Sequence, residues 1–231
     1  MTEEFLQLTV LEMMEQWACM DNGKNTRRDV IIRMLHGEFP QLDDFLCHEN
    51  HFQLLIAVML SARCTDARVN GITKKLFAIA PDASSMEKLS QSQLESIIYS
   101  AGFFRQKAQA IIATAKILLR QWGGEVPLSF ESLEKLPGVG HKTASVVIGQ
   151  CTSQETFPVD THIQRLARRW KISTKKAVDG IEKDLKNFFA KEMWFPMHKR
   201  MIAYGRSRCT ARGCDGTVCA ICKKLQRLND E

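Results

Sequence analysis

The sequence predicts an all-α fold, because helical periodicity recurs along the chain and strand patterns are scarce. Residues 107–122 repeat apolar side chains at spacings of three and four, and Gly123 and Gly124 follow as a helix stop. The apolar run 52–62 is long and lacks turn residues, which favours a buried helix over a strand. Further short helices are predicted by capping-box patterns at Ser84–Glu87, Ser90–Gln93 and Thr161–Gln164.

The composition is globular, with 231 residues of which 45% are apolar and 25% charged. That is enough chain for one large domain or two modest ones. No stretch approaches the ~20 apolar residues of a membrane span, and the acidic start of the chain does not resemble a secretory signal. We therefore expect no membrane contact and a reducing, cytoplasmic compartment, near the nucleoid if the source is prokaryotic.

The net charge of +6 is unevenly distributed. From Asp160 onward there are 17 Lys and Arg against 8 Asp and Glu, whereas the first 159 residues have 15 against 18. A basic segment of this kind is either a solvated helical face or a phosphate-binding surface. Charge alone does not decide between the two.

Residues 1–22 form a Met-rich amphipathic stretch that ends at Asp21, Asn22 and Gly23. We predict an N-terminal helical extension packed on the surface, since apolar stripes are usually buried. A partner-binding helix and a translation start at Met20 are the alternatives.

A glycine-containing hairpin, Pro137-Gly-Val-Gly140, separates the predicted helical segments 132–136 and 142–148. Glycine lets backbone N–H groups approach an anion, and the next helix adds its positive dipole end. This pattern predicts a phosphate-binding hairpin, with an ordinary helix connection as the alternative. Its predicted contact residues are Gly138, Val139, Gly140 and His141.

Lys142 follows in the first turn of a helix, where a cation opposes the macrodipole at a cost of up to ~1 kcal/mol. The dipole disfavours the ammonium form, and a Schiff-base nucleophile must react as the neutral amine. We therefore predict that Lys142 is a nucleophile, with a phosphate contact as the alternative.

Asp160 lies 18 positions after Lys142. Asp160 or Thr161 would cap the next helix, and Gln164 would complete a capping box. A carboxylate can also stabilise developing positive charge or relay a proton. His162 in the same segment is either a phosphate contact or a buried histidine.

Four of the eight cysteines fall within residues 209–222. In a reducing compartment such a group indicates metal ligands, and four thiolates suit either zinc or an iron–sulfur cluster. The predicted ligands are Cys209, Cys214, Cys219 and Cys222. We expect the others to be small core residues, namely Cys19, Cys47, Cys64 and Cys151.

Together the segments 136–144 (LPGVGHKTA), 159–163 (VDTHI) and the terminal cysteines resemble the helix-hairpin-helix base-excision DNA glycosylases, the endonuclease III family in particular. The resemblance covers about residues 25–222. It implies a six-helix barrel domain over 44–154, with the hairpin at 136–144. It also implies an iron–sulfur cluster domain formed by both chain ends, 23–43 and 155–231.

The resemblance implies a bifunctional, monomeric DNA glycosylase and AP lyase. Such an enzyme removes oxidised pyrimidines from double-stranded DNA and cleaves 3′ to the abasic site by β-elimination. Lys142 matches the attacking lysine of the family, and Asp160 matches the assisting aspartate. The four cysteines would hold a structural [4Fe-4S] cluster, beside a basic loop that contacts DNA through Arg206, Arg208 and Arg212.

Two features depart from the family pattern. The cysteines are separated by 4, 4 and 2 residues, where the family typically has 6, 2 and 5, so zinc remains the alternative metal. Arg63 stands where the family has a glutamine that fills the gap left by a flipped base. Phe103 stands where the family inserts an aliphatic residue, and it is either an intercalating or a core aromatic residue.

Two other functions are compatible with parts of the pattern. A related mismatch adenine glycosylase typically lacks a lysine at the position of Lys142 and has a glutamate where this chain has Ala57. A non-catalytic DNA-binding module would hold zinc in the four-cysteine site. The colour of the purified protein distinguishes the two metal sites, because an iron–sulfur protein is brown and a zinc protein is colourless.

Overall fold

The computed structural model describes residues 26–42, 44–152 and 154–230, and all regular elements in these ranges are helical. The predicted all-α class is confirmed, while the predicted extension 1–22 lies outside the described residues. None of the described helices is long and apolar enough to cross a membrane. The helices are α1 Arg27–Glu38, α2 His51–Ser61, α3 Asp66–Ile79, α4 Ala83–Glu87, α5 Gln91–Ile98, α6 Phe104–Trp122, α7 Phe130–Leu133, α8 His141–Cys151, α9 Thr161–Arg169, α10 Val178–Phe188, α11 Trp194–Ser207 and α12 Ala220–Asp230, with a 3₁₀ turn at Lys191–Met193.

Side-chain caps start several of these helices. Ser90 and Gln93 form the predicted capping box of α5. The other two predicted boxes are wrong, because the caps lie one or two residues earlier. Asp82 rather than Ser84 caps α4 and accepts from the Ser85 N–H. Asp160, the other cap that the sequence predicts for α9, is confirmed, so Thr161 is the first residue of the helix.

The first hydrophobic core is built by α2 to α8. Helix α2 is buried from Phe52 to Leu60, which confirms the predicted core helix. An apolar surface all round is what a helix inside a core requires. Helix α6 ends at Gly123, whose φ of +61° is the left-handed conformation that glycine adopts readily, as predicted for this stop.

The second core joins both ends of the described chain. Ile31 and Leu35 of α1 pack with Phe157, Trp170 and the apolar faces of α9 to α12. The chain passes from one core to the other near residues 44 and 154. We propose that these are the boundaries of two domains, the second assembled from two separate stretches of the sequence.

Three cysteines outside the terminal group can be placed. Cys64 and Cys151 are half-buried at the margin of the first core. Cys47 is exposed, so its predicted core position is wrong. It lies in the loop before α2, where its N–H donates to Asn70 Oδ1 at 3.0 Å. Cys19 lies outside the described residues.

The two cores meet closely at Gly149 of α8. A Cβ atom at Gly149 would lie 2.3 Å from Thr156 Oγ1 and 2.5 Å from Phe195 Cδ2. Thr156 is itself fixed, because its hydroxyl donates to the Ser145 carbonyl at 2.8 Å. Glycine is therefore required at this position by the close approach of the segment before α9 and of α11 to α8.

This contact predicts that Gly149→Ala destabilises the protein by about 1–3 kcal/mol, because overpacking outweighs the better helix propensity of alanine. Gly71→Ala in α3 is the matched control. No atom lies within 4 Å of a Cβ there, so it should stabilise by about 0.5–1 kcal/mol. Urea unfolding of both variants measures the difference. Equal or increased stability of Gly149→Ala would contradict the close packing.

Candidate active site and metal centre

A cleft of about 120 Å³ lies between the two cores. Lys142 of α8 lines it from one side, and Asp160 at the start of α9 lines it from the other. The two residues that the sequence singles out for chemistry therefore share one cavity. The rest of its wall comes mainly from α2, α8, α11 and the loop before α2.

The hairpin before α8 is held by close packing at Gly138. Its φ is +77°, and an added Cβ would lie 2.9 Å from Ala110 Cβ and 3.2 Å from Met59 Cε. Both the backbone conformation and the lack of space require glycine. The preceding Pro137 carbonyl accepts from Thr114 Oγ1 at 3.0 Å, which ties the hairpin to α6.

The next two hairpin residues have different roles. Val139 is 5% exposed, and its N–H donates to the Leu136 carbonyl at 3.1 Å. Val139 therefore contributes to a ligand contact only by holding the turn. Gly140 caps α8 without a side chain. The N–H groups in the first turn of α8 thus have no side-chain cap, and they can bind an anion together with the helix dipole.

His141 is already engaged by two carboxylates. Its Nδ1 lies 2.7 Å from Glu134 Oε1, and its Nε2 lies 3.4 Å from Glu182 Oε2. The ring stacks on Phe130 with centroids 5.2 Å apart. Since Glu182 belongs to α10, His141 connects the hairpin to the second core. A phosphate bound here would compete with these carboxylates.

Lys142 and Asp160 keep the local positions that the sequence predicts. Lys142 is exposed in the first turn of α8. Asp160 is half-buried, and its Oδ1 accepts from the Ile163 N–H at 2.8 Å. Asp160 is therefore a helix cap and a cleft residue at once, because capping fixes the carboxylate that faces the cavity.

His198 is a cleft residue that the sequence analysis missed. It is 4% exposed, its Nδ1 lies 2.6 Å from the Pro158 carbonyl, and it stacks on Phe195. Burial lowers the pKa of His198 to about 4, although the charge of Asp160 acts in the opposite direction. The imidazole is therefore neutral near pH 7, and Nδ1–H donates to Pro158, which holds the segment leading to Asp160. A lone histidine in the stretch 197–200 has no motif that would identify it.

His162 packs against α11. Its Nδ1 lies 3.1 Å from Arg165 Nη2, and because a guanidinium can only donate, Nδ1 must accept. Arg165 also donates to the carbonyls of Gly205 at 2.7 Å and Cys209 at 3.1 Å. This half-buried histidine helps to join α9 to the cysteine segment.

Two neighbouring loops place Arg63 beside Phe103. The guanidinium carbon of Arg63 lies 5.2 Å from the Phe103 ring centroid, and both residues have left-handed backbones, with φ of +54° and +60°. Phe103 is 56% exposed, which excludes the core alternative. Lys107 Nζ donates to the carbonyls of Leu60 and Ala62, both at 2.8 Å. The amine of Lys107 therefore joins the two loops.

The arginines near the cysteines are partly paired. Arg206 forms an ion pair with Asp66 and lies over the Phe45 ring at 4.9 Å. Arg208 forms an ion pair with Glu38. Arg212 is exposed. The pairs reduce the positive potential that the sequence alone assigns to Arg206 and Arg208.

The four clustered cysteines converge despite their unusual spacing. Their Sγ atoms all lie within 4.8 Å of one another, and all four side chains are buried. They are Cys209, Cys214, Cys219 and Cys222. Four buried thiols at such distances suit the ligands of a single metal centre.

Hydrogen bonds from Arg169 to Cys209 and from backbone N–H groups to Cys214 favour the thiolate, the form that binds metals. Arg169 Nη1 donates to Cys209 Sγ at 3.3 Å and to the Thr210 carbonyl at 2.8 Å. Burial acts to raise the pKa of the Cys214 thiol, but backbone N–H groups at 216, 218 and 219 outweigh it and lower the pKa overall. The residues present therefore fit a thiolate-bound metal or cluster. The sequence analysis did not identify Arg169.

Comparisons with known proteins point to a single family. A family profile described as HhH-GPD superfamily base excision DNA repair protein matches residues 56–191. Endonuclease III of Bacillus subtilis (strain 168) is 39% identical over 188 residues, covering 81% of this chain and 84% of that protein. Endonuclease III of Escherichia coli (strain K12) is 38% identical over 190 residues, covering 82% and 90%.

A solved structure supports the relation at the level of the fold. The structure of a trapped endonuclease III–DNA covalent intermediate, an estranged-adenine complex, superposes with a TM-score of 0.80 at 36% identity. The match covers 88% of this chain and all of that chain. The chain therefore belongs to the HhH-GPD superfamily of base excision DNA repair proteins and, within it, to the endonuclease III family.

Proposed function

We propose that the protein is a bifunctional DNA glycosylase and AP lyase of base excision repair. The observation that carries the proposal is the shared cleft, in which Lys142 and Asp160 face one cavity. Family membership supports it, since the related endonuclease III has been trapped in a covalent intermediate with DNA. The substrate is double-stranded DNA with an oxidised pyrimidine or an abasic site, and the protein acts as a monomer.

The proposed reaction begins when the neutral Lys142 amine attacks C1′ of the deoxyribose and the base departs with the electrons of the glycosidic bond. Asp160 stabilises the positive charge that develops on the sugar and accepts the proton from the attacking amine. The C1′–O4′ bond then breaks, O4′ takes up the proton held by Asp160, and the opened sugar is a Schiff base with Lys142. Loss of a C2′ proton then expels the 3′ phosphate, and water hydrolyses the imine to release Lys142.

The proposed DNA contacts divide into backbone binding and gap filling. The first-turn N–H groups of α8 bind a phosphate, and Gly138 permits the packed turn that presents them. The exposed Phe103 and Arg63 enter the duplex together, where they stack on the bases left by the flipped nucleotide. We also propose that Arg206, Arg208, Arg212 and His162 contact the DNA backbone from the second core.

We further propose that the four cysteines hold a [4Fe-4S] cluster. Membership of the endonuclease III family and the convergence of four buried thiols support this assignment. When bound, the cluster braces the segment 209–222 against α9. It takes no part in the reaction. Zinc is the alternative occupant of the same thiols.

Replacing Lys142 tests the nucleophile. Lys142→Ala should abolish borohydride trapping on abasic-site DNA and lower turnover by at least ~10³-fold, because the other lysine that lines the cleft, Lys199, is held by Asp44 and the Leu42 carbonyl. Lys135→Ala is the control, since this exposed lysine precedes the hairpin in the sequence and pairs with Glu131. It should trap like the wild type. Wild-type trapping by Lys142→Ala would refute the assignment.

Two substitutions separate the chemical role of Asp160 from its capping role. Asn caps helices as well as Asp, so Asp160→Asn should leave the unfolding free energy within about 0.5 kcal/mol while lowering turnover by ~10²–10⁴-fold. Asp160→Ala should lower turnover similarly and cost about 1 kcal/mol of stability as well. Turnover assays and urea unfolding give both readouts. If Asp160→Asn is fully active, the carboxylate is only a cap.

Metal analysis tests the cluster. The purified protein should be brown and contain iron and acid-labile sulfide in equal amounts. Cys222→Ser should lose both, whereas Cys47→Ser should retain them, because Cys47 is exposed and lies outside the cluster. A colourless protein with one zinc ion per chain would contradict the assignment.

A further inference from the structure

An open groove lies on the surface of the second core, between α1 and α12. It has a volume of about 450 Å³. Its floor is apolar and its rim is basic, since it is lined by Val30, Arg33, Met34, Ala220, Lys223, Lys224 and Arg227. The rim residues of α12 are exposed. An occupant of this groove should therefore combine apolar side chains with negative charge.

The groove adjoins the metal centre. Helix α12 begins directly after Cys219 and carries Cys222, and α1 packs against it. The first core and the catalytic cleft contribute no residue to the groove. An occupant would thus cover the helix that supplies metal ligands without reaching Lys142 or Asp160.

The sequence before α1 has the complementary character. Residues 1–22 contain five acidic residues and no Lys or Arg. They also carry apolar residues at helical spacing, at Leu6, Val10, Met13 and Trp17. The acidic residues are Glu3, Glu4, Glu12, Glu15 and Asp21.

A short connection joins this segment to α1. Residue 22 is four residues from Thr26, the cap of α1, and Val30 lies in the first turns of that helix. Four residues span at most roughly 14 Å, which is the greatest distance between the end of the segment and that cap. A tether this short gives an effective concentration in the millimolar range, so even a weak contact is populated.

We propose that residues 1–22 bind in the groove between α1 and α12, with their apolar stripe on Val30 and Met34 and their carboxylates beside Lys223, Lys224 and Arg227. The acidic segment thereby covers the outer face of the cysteine-bearing helix. The basic rim could instead bind DNA phosphates, but the apolar floor and the tethered acidic segment favour the intramolecular contact.

Zero-length carbodiimide cross-linking of the full chain tests the contact. It joins a carboxylate to an amine only where the two form a close pair. Peptide mapping should find isopeptide bonds from Glu12 or Glu15 to Lys223 or Lys224, at several times the yield found for Lys74 and Lys75 of α3. Those two lysines are also adjacent and exposed, so they report random coupling. Equal yields at both lysine pairs would overturn the proposal.

A charge-removal variant gives an independent readout. In full-length Lys223→Gln/Lys224→Gln, cleavage after Glu12 and Glu15 by a glutamate-specific protease should become several-fold faster than in the wild type. Lys74→Gln/Lys75→Gln should cleave at the wild-type rate. An unchanged rate in the first variant overturns the proposal. If, in addition, its DNA affinity falls, the rim is a phosphate-binding surface.

Discussion

The close approach of α8 to Thr156 and Phe195 is the contact on which the candidate site depends. Gly149 permits it, since a Cβ there would lie 2.3 Å from Thr156 Oγ1. Lys142 lies two turns earlier on α8, and Asp160 lies four residues after Thr156. Because α8 is rigid, the packing at Gly149 also fixes the cleft that Lys142 and Asp160 both line. Chemistry between them requires this geometry in advance.

Several residues of the site combine a structural role with a functional one. Asp160 caps α9, and the same bond orients its carboxylate. Gly138 packs against Met59 and Ala110, and the same close packing shapes the turn proposed to bind phosphate. His198 is neutral because it is buried, and as a neutral donor it holds Pro158 just before Asp160. The local structure therefore supports the proposed chemistry directly.

Features that depend on short-range sequence patterns could be predicted from the sequence. The buried helix α2, the stop at Gly123, the position of Lys142 in a first turn and the group of four cysteines all follow from short-range spacing. The sequence did not predict contacts between distant residues, such as the Arg206–Asp66 ion pair or the bond from Arg169 to Cys209. Cys47 was misplaced in the core because composition does not show that its loop is exposed.

The proposed reaction requires that Lys142 is the nucleophile in the cleft between the two cores. Peptide mapping of the borohydride-reduced complex with abasic-site DNA tests it most directly, because reduction makes the linkage permanent at the reacting amine. The sugar remnant should lie on the peptide that contains Lys142, at its side-chain nitrogen. A remnant on Lys107, on another lysine or on the N-terminal amine would contradict it.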